Sequence, residues 1–190
     1  MHKLKAITAL GASDLKVSTI GDMTLTEVTD RALASLSMRL GQDAEFAKRA
    51  KDILGIELPL PGVAEVGSPY SAFWIGPDSW MIDASYTSHQ TLAADLKSAM
   101  QDTTSVVEQT DGWCRFDVTG ASACDLFERL CNVDIRTMQA QTATRCAIHH
   151  IGCYLWCIEA GTRFAVLGPR SSAGSLYHAM EEAAQSIAAR

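Results

Sequence analysis

Leu36, Met38 and Leu40 alternate with Ser35, Ser37 and Arg39, the period of two that marks a half-buried strand over about 33–40. Gly41 breaks the alternation. Phe46, Ala50, Ile53 and Leu54 then recur at helical spacing, with Asp43 placed to cap the helix and Gly55 to end it. Residues 58–69 hold Pro59, Pro61, Gly62, Gly67 and Pro69, an extended, turn-rich connection suited to lie on another protein. Ala72-Phe73-Trp74-Ile75 and Trp80-Met81-Ile82 flank Gly76-Pro77-Asp78-Ser79, which reads as a hairpin because proline and aspartate favour the turn. Ser88 is placed to cap a helix carrying Leu92, Leu96 and Met100 on one face, and a strand is expected at 104–109. The resulting order, β-α-β-β-α-β, is that of a ferredoxin-like unit.

A second run follows directly. Trp113 to Val118 alternates as a strand, and Thr119-Gly120 turns into a helix with Ala123, Leu126, Phe127 and Leu130 inward. Residues 143–150 and 152–159 read as a hairpin and 163–167 as a third strand. A last helix, capped near Ser171 or Ser172, carries Leu176, Met180, Ala183 and Ile187 on one face. The fold class is therefore α+β: a ferredoxin-like unit followed by a related β-α-β-β-β-α unit. Residues 1–24 read as a weakly structured N-terminal arm. Residues 25–190 read as a single globular domain of two α+β halves, about 30–110 and 112–188.

The apolar content of 47% against 20% charged residues excludes a disordered chain. A net charge of −6, a pI near 5.3 and the lack of a basic stripe argue against nucleic acid as a partner. The first residues carry no apolar run of signal-peptide length and no window approaches a membrane span, so a cytoplasmic location is expected. The six cysteines are accordingly expected to be reduced.

Neither G-x-G-x-x-G nor G-x-x-x-x-G-K-[ST] occurs, so no Gly-rich turn offers its N–H groups to a pyrophosphate. The G-x-S-x-G elbow is also missing. Cys153 and Cys157 sit four apart on a strand, about 13 Å, too far for one zinc. Cys124 and Cys131 are separated by about 10 Å along a helix and fail likewise. Cys146 facing Cys153 across the hairpin, with His149 and His150 at its turn, is the credible cluster. Small buried core residues are the commoner use of such cysteines. Asp78 and Asp83 read as turn and edge residues, and Asp134 as a cap or turn residue.

Several segments, in order, resemble the gamma subunit of heterotetrameric sarcosine oxidase. Trp74-Ile75-Gly76-Pro77-Asp78-Ser79-Trp80 resembles the family's W-x-G-P-x-x-W segment. Val118 to Ala123, followed by Leu130-Cys131-Asn132-Val133-Asp134-Ile135, resembles its strand-helix-C-x-x-D-(L/I) segment, with Asn132 standing where proline is expected. Arg145, the hairpin after it, and Phe164 to Ser172 resemble its F-x-(V/L)-x-x-P-R-S ending. The resemblance implies a fold similar to the folate-binding aminomethyltransferase domains. It also implies a non-catalytic subunit of an amine oxidoreductase, inactive when isolated. In that complex sarcosine is oxidatively demethylated to glycine, with hydrogen peroxide and formaldehyde or methylenetetrahydrofolate as further products. FAD, FMN, NAD and zinc are implied on other subunits, tetrahydrofolate as the one-carbon acceptor, and no cofactor on this chain. The implied partners are the alpha subunit with its folate-binding domain, the beta subunit with flavin and the delta subunit with zinc. Trp74, Trp80 and Arg170 are the candidate interface residues, because Trp and Arg anchor interfaces and the tryptophans adjoin the Pro/Gly-rich loop. Ser171 and Ser172 read first as plain helix caps; the minority reading is that their N–H groups and Arg170 hold an anion or a partner's carboxylate. The alternative is a stand-alone folate- or pterin-binding protein, which needs a pocket carboxylate from among Asp78, Asp83, Asp111 and Asp134.

Overall fold

The computed structural model describes residues 5–189. In chain order the first elements are β1 (Val17–Ile20), β2 (Met23–Val28), β3 (Arg31–Met38), α1 (Asp43–Leu54), β4 (Ala64–Val66), β5 (Ser71–Gly76), β6 (Ser79–Ser85), α2 (Leu92–Met100) and β7 (Thr104–Glu108). The remainder are β8 (Trp113–Thr119), α3 (Ala123–Leu130), β9 (Ala143–Ile148), β10 (Ile151–Glu159), β11 (Arg163–Pro169) and α4 (Ala173–Ala188). These form two compact units. One runs through Thr29, then Trp113–Ala140, then from Arg145 onward; the other is Asp30–Gly112 with Gln141–Thr144.

The second of these is built on an antiparallel sheet of order β4-β5-β6-β3-β7. Without the short edge strand β4, this is the ferredoxin-like arrangement expected from the sequence. Ala32, Ala34 and Leu36 on β3, with Ala72 on β5 and Ile82 and Ala84 on β6, form its helix-covered face. Phe46, Ala50 and Leu54 of α1 and Leu92, Leu96 and Met100 of α2 pack there. Each fully buried leucine contributes about 2 kcal/mol relative to leaving it in water. Gly55 closes α1 in the left-handed region (φ 67°), its N–H donating to Lys51 O, as its position after Leu54 predicts. Asp43 is the first helical residue, with Gln42 at the cap position, so it acts as a first-turn acid. Helix α2 starts after Thr91, three residues past the expected cap; Ser88 Oγ donates to Ser85 O instead. Strand β3 ends at Met38, leaving Leu40 fully exposed.

The other unit carries a six-stranded sheet of order β1-β2-β8-β11-β10-β9. Met23, Leu25, Phe116, Val118, Leu155, Phe164 and Val166 pack against Leu126 and Phe127 of α3 and Leu176 and Met180 of α4. Phe127 meets Phe164 edge-on at 5.3 Å between centroids.

Here the reading of residues 1–24 as an arm is corrected for the described part; residues 1–4 lie outside it. Val17–Ile20 and Met23–Val28 are paired strands, and β2 continues the sheet with Thr24 opposite Thr119 and Leu25 opposite Val118. Met23 and Leu25 are fully buried. Glu27, also buried, accepts the N–H groups of Leu10 and Lys16, both at 3.1 Å. Arg170 donates to Ile7 O at 2.9 Å and Thr8 O at 3.2 Å. The segment is thus held by strand pairing, by a buried carboxylate and by an arginine.

The β1–β2 turn also builds the start of α3. Ser122 occupies the cap position without a side-chain cap bond. Its N–H donates instead to Asp22 Oδ2 at 2.8 Å, a hundred residues away in sequence. The Ser122 hydroxyl, and after it this N–H, hold the Asp22 carboxyl below its ordinary pKa. A depressed carboxylate pKa stabilises the fold above the unfolded-state value and loses that contribution as pH falls through the folded value. Asp22→Asn is therefore expected to lower the melting temperature at neutral pH. It should also flatten the acid limb of the stability profile below about pH 4. Thermal melts of both proteins between neutral pH and the acid limb would show whether the two profiles converge.

Candidate functional site

The hairpin β5–β6 brings Trp74 and Trp80 directly opposite each other, so both point to one face. Their surroundings differ. Trp80 stacks on Phe46 with centroids 5.5 Å apart, and its Nε1–H donates to Pro59 O at 2.8 Å. Its ring is thus tied to the core of its unit and to the Pro-rich connection. Trp74 is half-buried. In the adjoining connection Leu60, Val63 and Val66 are exposed, Leu60 at 76%. Single exposed apolar residues are ordinary, whereas several within one short segment mark a contact surface.

Arg170 lies on a 3-10 turn, Arg170–Ser172, and α4 begins at Ala173. Ser172 holds the cap position but forms no side-chain cap bond. Two of the guanidinium's contacts go to the backbone of residues 7 and 8, in the other part of the same unit. Close by, an open groove of about 650 Å³ is lined by Leu10, Lys16, Tyr177, His178 and Glu181 among others. Its polar groups serve one another: Lys16 Nζ lies 3.2 Å from Glu181 and 4.2 Å from the Tyr177 ring centre, and Tyr177 donates to Ser18 Oγ at 2.7 Å.

Asp83 does not fit the edge position expected for it. It sits on β6 between β3 and β5, is 1% exposed, and takes Arg31 Nε at 2.6 Å with Nη2 also in contact. Its charge is thus matched by an arginine of its own unit. Asp78 occupies the β5–β6 turn at φ +50°, and its carbonyl accepts the N–H of Met38. Asp134 starts a short 3-10 turn, where its carbonyl accepts from Thr137.

A further buried carboxylate went unnoticed in the sequence. Asp117 on β8, 6% exposed, accepts Arg115 Nε at 2.7 Å, Arg115 Nη2 at 3.2 Å and Arg163 Nη2 at 3.1 Å. The Arg115 guanidinium also lies 5.6 Å from the Trp156 ring centre. The alternation Cys114, Phe116, Val118 against Trp113, Arg115, Asp117 was the available signal. It places an arginine and an aspartate together on the face of β8 away from the helices.

Cysteines separate into two kinds. Cys114 and Cys153 are buried, and desolvation pushes their thiols up to about 11 and about 12. Cys114 donates to Gly168 O at 3.4 Å, and Cys124 to Gly161 O at 3.5 Å. Cys131 and Cys146 are half-buried, and the Cys131 thiol donates to Phe127 O at 3.3 Å. The two-residue turn at His149 and His150 sets Cys146 of β9 opposite Cys153 of β10, as the spacing predicts. The mutual influence of the Cys131 and Cys146 thiols lowers the pKa of Cys131 and, together with burial, raises that of Cys146. Among the described residues no group of three or more Cys, His, Asp or Glu is arranged to hold a metal ion. His149 and His150 form the two-residue turn between β9 and β10, both at positive φ (47° and 69°), and are exposed. No helix among the described residues is long and apolar enough to cross a membrane.

The architecture is an α+β fold like that of the folate-binding aminomethyltransferases. The chain superposes on the glycine cleavage system aminomethyltransferase T of Bartonella henselae with a TM-score of 0.63 at 11% identity, over 85% of its own length and 46% of that chain. A chain of the heterotetrameric sarcosine oxidase of Corynebacterium sp. U-96, solved with pyrrole 2-carboxylate, superposes more fully. The TM-score is 0.77 at 21% identity, over 92% of this chain and 89% of that one. At such identities the likeness establishes the fold. No family model and no curated protein matches the sequence.

Proposed function

We propose that this chain is the gamma-type subunit of a heterotetrameric sarcosine oxidase, a scaffold without chemistry of its own. The observation that carries the reading is the near one-to-one coverage, 92% of this chain against 89% of a chain from that oxidase. The aminomethyltransferase matches at less than half its length. The ordered sequence segments around Trp74, Gly120, Cys131 and Phe164 support the same reading.

In this reading the alpha, beta and delta subunits carry FAD, FMN, NAD and zinc. The alpha subunit's folate-binding domain presents tetrahydrofolate to the one-carbon unit, and this chain is a cytoplasmic partner that holds no cofactor. Co-expression with the three other subunits should give one stable complex with sarcosine oxidase activity. The chain purified alone should be colourless and inactive towards sarcosine. Flavin bound to the lone chain, or turnover by it, would overturn the assignment, as would failure to enter the complex.

Trp74 and the exposed Leu60, Val63 and Val66 form the docking surface in this reading, with Arg170 as a second anchor. Trp74→Ala should weaken assembly about tenfold or more, the scale of an aromatic interface anchor. Titration of the other subunits with each variant would measure this. Trp80→Ala should instead lower the melting temperature of the isolated chain, since it loses the Phe46 stack and the Pro59 bond. A Trp74→Ala chain that assembles with unchanged affinity would remove this surface from the reading.

A further inference from the structure

Strand β4 carries a carboxylate on a face whose neighbouring positions are apolar. In its register with β5, Ala64 stands opposite Phe73, Glu65 opposite Ala72 and Val66 opposite Ser71. Opposed residues of an antiparallel pair share a face, so Glu65 lies on the side of Ala72 and, two residues along β5, of Trp74. One step further in the same register Val63 comes opposite Trp74. Val63 is 40% exposed, and Glu65 and Trp74 are half-buried. Glu57, in the same connection, is paired with Lys51, whereas the Glu65 carboxylate has no ion-pair or hydrogen-bond partner among the described residues. The backbone beneath these side chains is fixed on both sides. Ala64 N–H donates to Gln141 O at 2.7 Å and Ala143 N–H to Gly62 O at 3.0 Å, with Val63 bridged to Thr142. The outer edge is therefore already paired at this point, and a strand cannot add to it. A partner meets side chains held in a fixed array instead.

We propose that Glu65 and Trp74 together receive an arginine side chain of a partner subunit. The inference rests on the proposed function and names the chemistry its docking surface reads. Closing an apolar surface over Val63 and Trp74 strips water from the Glu65 carboxylate, and this chain supplies no cation in exchange. The partner must supply it, or assembly leaves a desolvated charge unpaired. A guanidinium fits both neighbours at once. Its N–H groups donate to the carboxylate as a pair, and its flat face stacks on the indole of Trp74. Diagonal positions on one face of a sheet lie about 7–8 Å apart, a span that one guanidinium bridges. A lysine would bring the charge as a point, without the planar face that Trp74 offers to stack on.

The experiment titrates the other three subunits with the full chain, unaltered or carrying Glu65→Gln, which keeps the shape and removes the charge. Expected is an affinity loss of about thirtyfold or more, expressed as faster dissociation, the scale for deleting one partner of a desolvated charge pair. Glu57→Gln is the control: that carboxylate is exposed and already paired within the chain, so affinity should change less than about threefold. Phenylglyoxal, which modifies arginine, then reports the other half of the pair. One arginine of a partner subunit should be shielded in the complex with the unaltered chain and become reactive in the complex with Glu65→Gln. Equal or tighter binding by Glu65→Gln overturns the proposal, as does a loss of affinity with no arginine shielded. A fall in the melting temperature of the isolated Glu65→Gln chain also overturns it, by placing the carboxylate in the fold. If the unaltered chain forms no complex, the proposed function falls with it; a complex that forms and ignores Glu65→Gln removes this inference alone.

Discussion

Gly120→Ala is expected to destabilise the six-stranded unit by about 3 kcal/mol or more, enough to lose much of the margin of a typical domain. Gly120 has φ +139°, a conformation that L residues rarely adopt. A Cβ there would lie 2.3 Å from Asp22 O and 2.9 Å from the Met23 Cα. Both are backbone atoms, so no rotamer change relieves the clash. Either the β1–β2 turn retreats, breaking the bond from Ser122 to Asp22, or β8 shifts against β2. Gly161→Ala is the matched control. It also has positive φ, at 79°, but its Cβ would meet nothing within 4 Å, so only the conformational cost of about 1 kcal/mol remains. Denaturant titrations of the two variants should differ clearly. Equal losses would show that the close approach of the turn is not the governing feature.

Asp117→Ala should cost about 3 kcal/mol, the scale seen when one partner of a buried ion pair is removed. Asp117 accepts from two arginines, and the one that suffers most is Arg115, whose side chain is only 12% exposed. Water cannot readily replace the carboxylate there. Arg163 is 47% exposed at its side chain and rehydrates. Arg163→Ala should therefore cost less than about 1 kcal/mol, as for other exposed ion pairs. Measuring both by chemical denaturation tests the asymmetry; a loss at Arg163 as large as that at Asp117 would contradict it.

Both sites show where sequence reading stops. The helices and most strands were legible because their apolar residues repeat at the period of one element. Phe46, Ala50 and Leu54 define α1, Leu176 and Met180 define α4, and both hairpins announce themselves by their turns. The first strands were overlooked although Met23 and Leu25 alternate with Thr24 and Thr26. Glu27 occupies the next inward position, where an apolar residue is the usual signal. Its carboxylate is buried because it satisfies the N–H groups of Leu10 and Lys16, a pairing made by chain reversal. Asp83 was misplaced for the same kind of reason, since its partner Arg31 stands 52 positions away. Of the candidate interface residues, Trp74 and Trp80 share a face because the hairpin turn is tight. No local spacing signals that Trp80 stacks on Phe46 or that Arg170 binds the backbone of residues 7 and 8.

Local spacing determined the α+β class, the element order and the resemblance to an oxidase subunit, since these depend on neighbours within one turn or one strand. The tertiary structure decided which charges are buried, that Gly120 must stay a glycine and which thiols are desolvated. Each of those depends on groups brought together from distant positions, and their desolvation and contact distances exist only once the chain has closed on itself.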